Sequence, residues 1–365
     1  MKIGILTFHS VPNFGAALQA FALKTHLESL HHTAHVIDFK CAGNNDNFRP
    51  EILKKHFSLS KNPLKRAGKS LLFQLYIQKS YQKKCDRFAA FSQKHFDLLP
   101  YINDRFDGFD AIFCGSDQIW NPKITAGFQQ PYFGADPDSG VIAASYAASC
   151  GDVNELSGSE KSEFFNLLKR MRRISVREQS LCAFLKEEGV PASCVLDPTF
   201  LLSDSDYIDK LSLQKTDGPK YLLQYSLQKS DKLDQIAAQI AKEKGLKIVN
   251  VCGYIHPGPH EDRNFDAGPV EFLQYLYNAS YVLTNSFHGV ALSLIFKKDF
   301  NALLPAVRKA RIADLLAQLS LSDRICNDTD TSNTESINYT RVSADLEPLV
   351  ASSKAFVLDV LRGEE

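Results

Sequence analysis

The chain has 365 residues, 44% of them hydrophobic and 23% charged, a length that favours two folded units over one hydrophobic core. Its 42 Lys and Arg balance 42 Asp and Glu, which argues against a nucleic-acid partner and leaves electrostatic recognition to local clusters. None of the eight cysteines has Cys-x-x-Cys spacing, and several lie in apolar runs such as Ile112-Phe113-Cys114, so they read as reduced thiols of a cytosolic protein.

In chain order, Ile3–Phe8 reads as a buried strand, too short for a signal-peptide core. A helix follows, with Ala16, Ala20, Leu23, Leu27 and Leu30 on one face, then strand His35–Phe39. Strand, helix and strand with short joins form a βαβ unit and imply a parallel sheet. Further strands are expected at Phe109–Cys114, Val141–Tyr146, Arg173–Val176 and Cys194–Leu196, with a helix over Glu178–Glu188. A polar break at Ser203–Pro219 marks a boundary.

The second series begins at strand Tyr221–Tyr225. It continues with a helix carrying Leu233, Ile236, Ala237, Ile240 and Ala241, then strand Ile248–Cys252 and a loop from Gly253 to Gly268. A short helix opens at Pro269, followed by strand Tyr281–Thr284, helix Val290–Phe296 and strand Asp299–Leu304; a last helix near Leu346–Leu361 closes the chain. The most apolar window, Ala279–Phe296, is interrupted by Asn285, Ser286, His288 and Gly289 and cannot cross a bilayer as an unbroken apolar helix. These elements predict an N-terminal α/β domain over 1–205, a second over 216–330, and a helix within 340–365 packing back on the first. A cytoplasmic protein without a membrane span is expected.

The segment Lys61–His95 stands apart, with nine basic residues against the single acid Asp86, and leucines and aromatics between them. It reads either as a solvated helical pair or as a peripheral contact for anionic lipid or a lipid-linked diphosphate.

Ligands of open parallel sheets bind beyond the carboxyl ends of the strands, so polar residues just after each strand are candidates. After the first strand come His9, Asn13 and Gly15, a turn that either presents N–H groups to a ligand or simply caps the helix. Gly115-Ser116-Asp117-Gln118-Ile119-Trp120-Asn121 holds the only tryptophan beside amides and a carboxylate, which suits a sugar, though Ser-Asp is also an ordinary helix start. Arg177 offers a fork of donors to a phosphate or carboxylate, or a structural salt bridge. Asn285-Ser286-Phe287-His288-Gly289 is the strongest local signal, a titratable imidazole at a helix start. No His/Asp cluster has the spacing of a metal site.

Together these stretches resemble the polysaccharide pyruvyl transferase family. The similarity rests on I-G-I-L-T-F-H and N-F-G-A-A-L-Q (Ile3–Gln19), G-S-D-Q-I-W-N (Gly115–Asn121), S-Y-A-A-S (Ser145–Ser149), I-S-V-R-E (Ile174–Glu178), L-D-P-T-F-L-L (Leu196–Leu202) and T-N-S-F-H-G (Thr284–Gly289). The resemblance implies two Rossmann-like domains in a glycosyltransferase-B-like arrangement, with the active site in the cleft between them. It also implies transfer of a pyruvyl group from phosphoenolpyruvate to two hydroxyls of one sugar, in a surface polysaccharide or its lipid-linked precursor, with no cofactor. That chemistry needs cations for the donor, an acid for its methylene carbon and a base for the hydroxyls.

Carried onto this chain, His288 and Arg177 become the catalytic pair on facing walls. Ser286, Phe287, Gly289, Arg308 and Arg311 would bind the donor, and His9, Asn13, Gly15, Asp117, Gln118 and Trp120 the acceptor. Family members often carry Arg-Leu-His or a similar triplet where this chain has Ser286-Phe287-His288, so the neighbouring arginine is absent here, and Arg308 or Arg311 would substitute. The alternatives are a glycosyltransferase of the same fold with a nucleotide-sugar donor, and a non-catalytic carbohydrate-binding or assembly protein.

Overall fold

A computed structural model describes residues 1–41, 78–253, 263–305, 310–326 and 333–363. Its first sheet contains β1 (Lys2–Leu6), β2 (Thr33–Asp38), β3 (Leu99–Pro100), β4 (Ala111–Cys114) and β5 (Ile142–Ser145), all parallel, in the order β3-β2-β1-β4-β5. The short pair β6 (Ser175–Val176) and β7 (Ser193–Cys194) joins this sheet through bridges from Ala144 to Arg173 and from Ala148 to Val176. The second sheet contains β8 (Tyr221–Ser226), β9 (Lys247–Cys252), β10 (Arg263–Asn264), β11 (Tyr281–Thr284), β12 (Phe300–Leu303) and β13 (Ile325–Cys326). It too is parallel, in the order β10-β9-β8-β11-β12-β13. In each sheet the order of successive strands reverses at a switch point, between β1 and β4 and between β8 and β11, where such folds bind ligands.

The helices are α1 (Phe14–Ser29), α2 (Gln78–His95), α3 (Pro122–Thr125), α4 (Gly158–Leu168), α5 (Gln179–Glu187), α6 (Asp204–Leu211), α7 (Asp231–Lys244), α8 (Pro269–Asn278), α9 (Phe287–Ile295), α10 (Ala310–Gln318) and α11 (Tyr339–Arg362). Alternation along the strands divides the apolar side chains between faces. Ile3, Ile5 and Val36 of the first sheet share a central core with Leu223, Tyr225 and Val282 of the second. Leu6, Ile112 and Cys114 turn to an outer core with Trp120, Phe133 and Phe164; Leu222, Tyr281 and Leu283 turn to another with Leu233, Ile236 and Ile240.

The structure departs from the sequence-based expectations in several places. Helix α1 is buried on all sides from Phe14 to Leu27, not along one stripe, because it contributes to the central core through Leu18, Phe21 and Leu23 and to an outer core through Ala16. Within the polar break Ser203–Pro219, α6 forms because Ser203 and Asp206 make a capping box while Tyr207 and Leu211 are buried. The two-residue strands β3, β10 and β13 are too short to show an alternation.

Of the basic segment 61–95, residues 61–77 lie outside the described residues. The described part is α2, and several of its cations face protein. Lys84 is 4% exposed, 4.8 Å above the Phe14 ring, and donates to the Cys252 carbonyl. Arg87 pairs with Asp266 at 3.3 Å and with Glu271 at 3.1 Å, and Lys83 also meets Asp266. Lys79 and Lys94 are exposed.

Helix α11 runs across both sheets' territory. Its Tyr339 hydroxyl donates to the Lys298 carbonyl, whereas its Ser353 Oγ accepts from Leu196 N at 2.9 Å and Phe356 packs near Tyr146. Among the described residues no helix is long and apolar enough to cross a membrane.

Candidate functional site

The loops after β1, β4, β6 and β7 meet the loop after β11 around one buried carboxylate, Asp197. The Asp-Pro-Thr turn explains its position: Asp197 caps the 3-10 turn Pro198–Leu201, and its Oδ1 accepts from Thr199 N at 3.0 Å and Thr199 Oγ1 at 2.9 Å. Its Oδ2 accepts from Ser116 Oγ at 3.1 Å and from Arg177 Nη1 at 2.8 Å. His288 Nε2 lies 3.5 Å from the same Oδ2. Burial alone would raise the Asp197 carboxyl, yet the charges of His288 and Arg177 and the Thr199 N–H hold it well below the usual carboxylate range.

Arg177, 8% exposed, is the hub. Its Nη1 also reaches Ser116 Oγ at 3.4 Å, its Nε donates to Glu178 Oε1 at 3.4 Å, and Nη2 is 3.8 Å from Asp117 Oδ1. Burial would lower its pKa, but Glu178, Asp197 and Asp117 together raise it, so the guanidinium is a permanent cation. The Phe287 ring lies 5.2 Å from Arg177 Cζ and 5.8 Å from Arg311 Cζ. Arg311, from α10, brings Nε to 3.9 Å from Glu178 Oε1. The electron-rich face of the Phe287 ring attracts both guanidinium groups.

His288 and Arg177 do come from different sheets, but they do not stand on separate walls as expected. Both touch the same oxygen of Asp197, a residue that the sequence offered only as part of Leu196–Leu202. Its signal was the Asp-Pro-Thr cap, which sequence alone cannot distinguish from an ordinary turn.

The imidazole also rests on the first sheet's helix: a Cβ at Gly15 would overlap His288 Nδ1, Cε1 and Cγ. Gly15 thus belongs with His288, while Asn13 caps α1 by accepting from Ala16 N at 3.2 Å. Ser286 caps α9, accepting from Gly289 N, and its own N donates to Thr284 Oγ1 at 3.0 Å. Gly289 is required because a Cβ there would strike Thr284.

Other expected residues serve packing. Trp120 is fully buried, stacks on Phe133 at 5.4 Å and donates Nε1 to the Tyr132 carbonyl at 2.8 Å, so its ring presents no face to a sugar. Gln118 is buried and accepts from Asn121 Nδ2. His9 is buried with Nδ1 3.0 Å from the Thr7 carbonyl and Nε2 2.9 Å from Asp38 Oδ1. Asp117 stays at the site beside Arg177. Arg308 lies outside the described residues.

Among the described residues, Arg177 Nη2, Glu178 Oε2 and His288 Nε2 are buried without a hydrogen-bond partner. Orphaned buried polar atoms cost about 1–3 kcal/mol each, so such a grouping signals a ligand-binding function. No group of three or more His, Cys, Asp or Glu among the described residues could hold a metal ion. A surface cavity of about 500 Å³ lies elsewhere, beside β6 and β7, lined by Arg172, Arg173 and Lys186 with four neighbours; none of the candidate residues lines it.

Two doubly wound sheets with polar residues converging from the carboxyl ends of both define a glycosyltransferase-B-like architecture. The UDP-GlcNAc 2-epimerase of Neisseria meningitidis, solved with UDP-GlcNAc, matches over 100% of both chains with a TM-score of 0.50 and 9% identity. The UDP-GlcNAc 2-epimerase of Methanocaldococcus jannaschii matches over 99% of both chains at 0.48 and 12%. A spinosyn forosaminyltransferase matches 100% of this chain and 94% of its own at 0.40 and 12%. At such identities the likeness is one of fold. No curated protein is similar in sequence. The chain belongs to the polysaccharide pyruvyl transferase family, whose profile matches residues 13–304.

Proposed function

We propose that the protein transfers the pyruvyl group of phosphoenolpyruvate to two hydroxyls of one sugar, in a polysaccharide or its lipid-linked precursor, forming a cyclic ketal. The observation that carries this reading is the shared carboxylate. Arg177 is held on Asp197 through Nη1 and keeps Nη2 without a hydrogen-bond partner among the described residues, while His288 Nε2 stands 3.5 Å from the same carboxylate oxygen without forming a hydrogen bond to it. A donor bearing a phosphate and a carboxylate suits that pair, with Arg311 as a second cation beside Phe287.

In the overall reaction both hydroxyls lose a proton and bond to the donor's C2. The C3 methylene gains a proton to become a methyl group, and inorganic phosphate leaves with the other. His288 is the proton donor to C3, and Arg177 neutralises the donor's charge. Phosphoenolpyruvate is a substrate on this reading, and no cofactor takes part. A lipid-linked acceptor would suit the exposed Lys79 and Lys94 of α2.

A thermal-shift comparison tests the donor. Phosphoenolpyruvate at a hundred times its dissociation constant should stabilise the fold by about 2.7 kcal/mol, while UDP-GlcNAc should leave the melting temperature unchanged. Stabilisation by UDP-GlcNAc alone would replace this reading with a nucleotide-sugar transferase.

A further inference from the structure

We infer that Glu178 is the catalytic base that takes the proton of the attacking sugar hydroxyl, an assignment that rests on the pyruvyl-transfer reading. Three carboxylates surround the Arg177 guanidinium: Asp117, Glu178 and Asp197. Asp197 is unsuited to the task. Both its oxygens are occupied, Oδ1 by two donors from Thr199 and Oδ2 by Ser116 and Arg177, and it is held far below the usual carboxylate range, which makes it a poor proton acceptor. Asp117 Oδ1 accepts from Gln118 N at 2.9 Å, and its side chain is the most exposed of the three at 19%.

Glu178 differs from both. Its Oε1 is held between Arg177 Nε at 3.4 Å and Arg311 Nε at 3.9 Å, one arginine from each half of the molecule. Its Oε2 is buried and has no partner among the described residues. One oxygen is therefore anchored and the other is an acceptor without a donor. That is the geometry required to receive a hydroxyl proton close to the donor's cations. Arg177 Nη2, 3.8 Å from Asp117 Oδ1, and His288 Nε2, 3.5 Å from Asp197 Oδ2, also lack a hydrogen bond and complete the set with an anion-binding donor and a proton carrier.

The steps balance. In the first, the sugar O–H bond breaks, its proton passes to Glu178 Oε2, and the oxygen bonds to C2 of the donor. The electron pair of the C2=C3 bond takes the proton carried by His288, giving a methyl group and a tetrahedral phosphorylated adduct. In the second, the C2–O bond to phosphate breaks and the departing oxygen takes the proton from Glu178. The second hydroxyl bonds to C2 and gives its proton to His288. Both side chains are returned to their starting states, with no oxidant or reductant.

The test uses the full-length protein, phosphoenolpyruvate and a panel of p-nitrophenyl hexosides as acceptors, with phosphate release and ketal formation followed by NMR. Glu178→Gln should lower kcat by about 10²- to 10⁴-fold, the span of general-base catalysis, while calorimetric affinity for phosphoenolpyruvate changes less than threefold. Glu178→Ala should recover part of its rate in added formate, a rescue that a merely structural carboxylate would not show. Thermal melts of both variants check that they fold; should Glu178→Ala not fold, the kcat of Glu178→Gln decides. Near-normal kcat in Glu178→Gln overturns the assignment and leaves pyruvyl transfer intact. Wild-type protein that neither binds phosphoenolpyruvate nor turns it over with any hexoside overturns both.

Discussion

Asp197 makes the candidate site interpretable, because it assigns separate tasks to residues that look alike in the sequence. Arg177→Ala removes a charge-assisted bond worth roughly 1.5–3 kcal/mol and should weaken phosphoenolpyruvate binding about 10- to 100-fold by calorimetry. His288→Asn should instead lower kcat with little change in donor affinity, since it deletes the proton but keeps a polar group. Unchanged donor affinity in the first variant and unchanged turnover in the second would mean that the donor sits elsewhere. Lys84 gives a prediction of another kind. Burial lowers its ammonium from 10.5 to about 8, with Cys252 and Cys85 opposing. The folded state thus releases this proton before the unfolded state does, and stability must rise as pH climbs from about 8 to about 10.5. Urea titrations should show the wild type gaining up to about 3 kcal/mol over Lys84→Met across that window. Motifs made His288 and Arg177 legible in the sequence. Glu178 and Asp197 were present in the same motifs without assigned roles, because which oxygen is occupied is a matter of three-dimensional partners.

At the scale of elements, apolar periodicity located most strands and helices, while their ends and partners depended on tertiary contact. Helix α1 shows the limit: its Ala/Leu face was readable, but burial on every side follows from its place at two cores. The expected start of α9 at Val290 moves back to Phe287 because Ser286 caps the helix, which places His288 inside its first turn. Gly15 turns this geometry into a measurement. A Gly→Ala change within a helix ordinarily stabilises by up to about 1 kcal/mol. Here the added methyl must displace the His288 ring, so Gly15→Ala should lower both the melting temperature and kcat, leaving the Asn13 cap intact. A more stable, fully active variant would show that His288 can function away from this contact. Helix α6 offers the contrasting case: Ser203→Ala removes one half of its capping box and should cost about 1 kcal/mol in denaturant melts without touching turnover.

For the whole molecule, two sheets were legible from the two βαβ series, whereas their union was not, since no sequence period reports that Ile5 and Leu223 share a core. With that core in common, calorimetry should record one unfolding transition, its van't Hoff enthalpy close to the calorimetric value; two resolved peaks would show that the halves melt independently. Helix α11 carries a mechanical corollary. It is fastened near its start to Lys298, in the second half, and further along to Leu196, in the first, so it acts as a splint across the joint. Wide hinge-like opening would strain it, so the two halves should hold their relative positions when a ligand binds. Its weak point lies between those two fastenings at Pro348, which cannot donate the backbone bond that would stiffen the rod there.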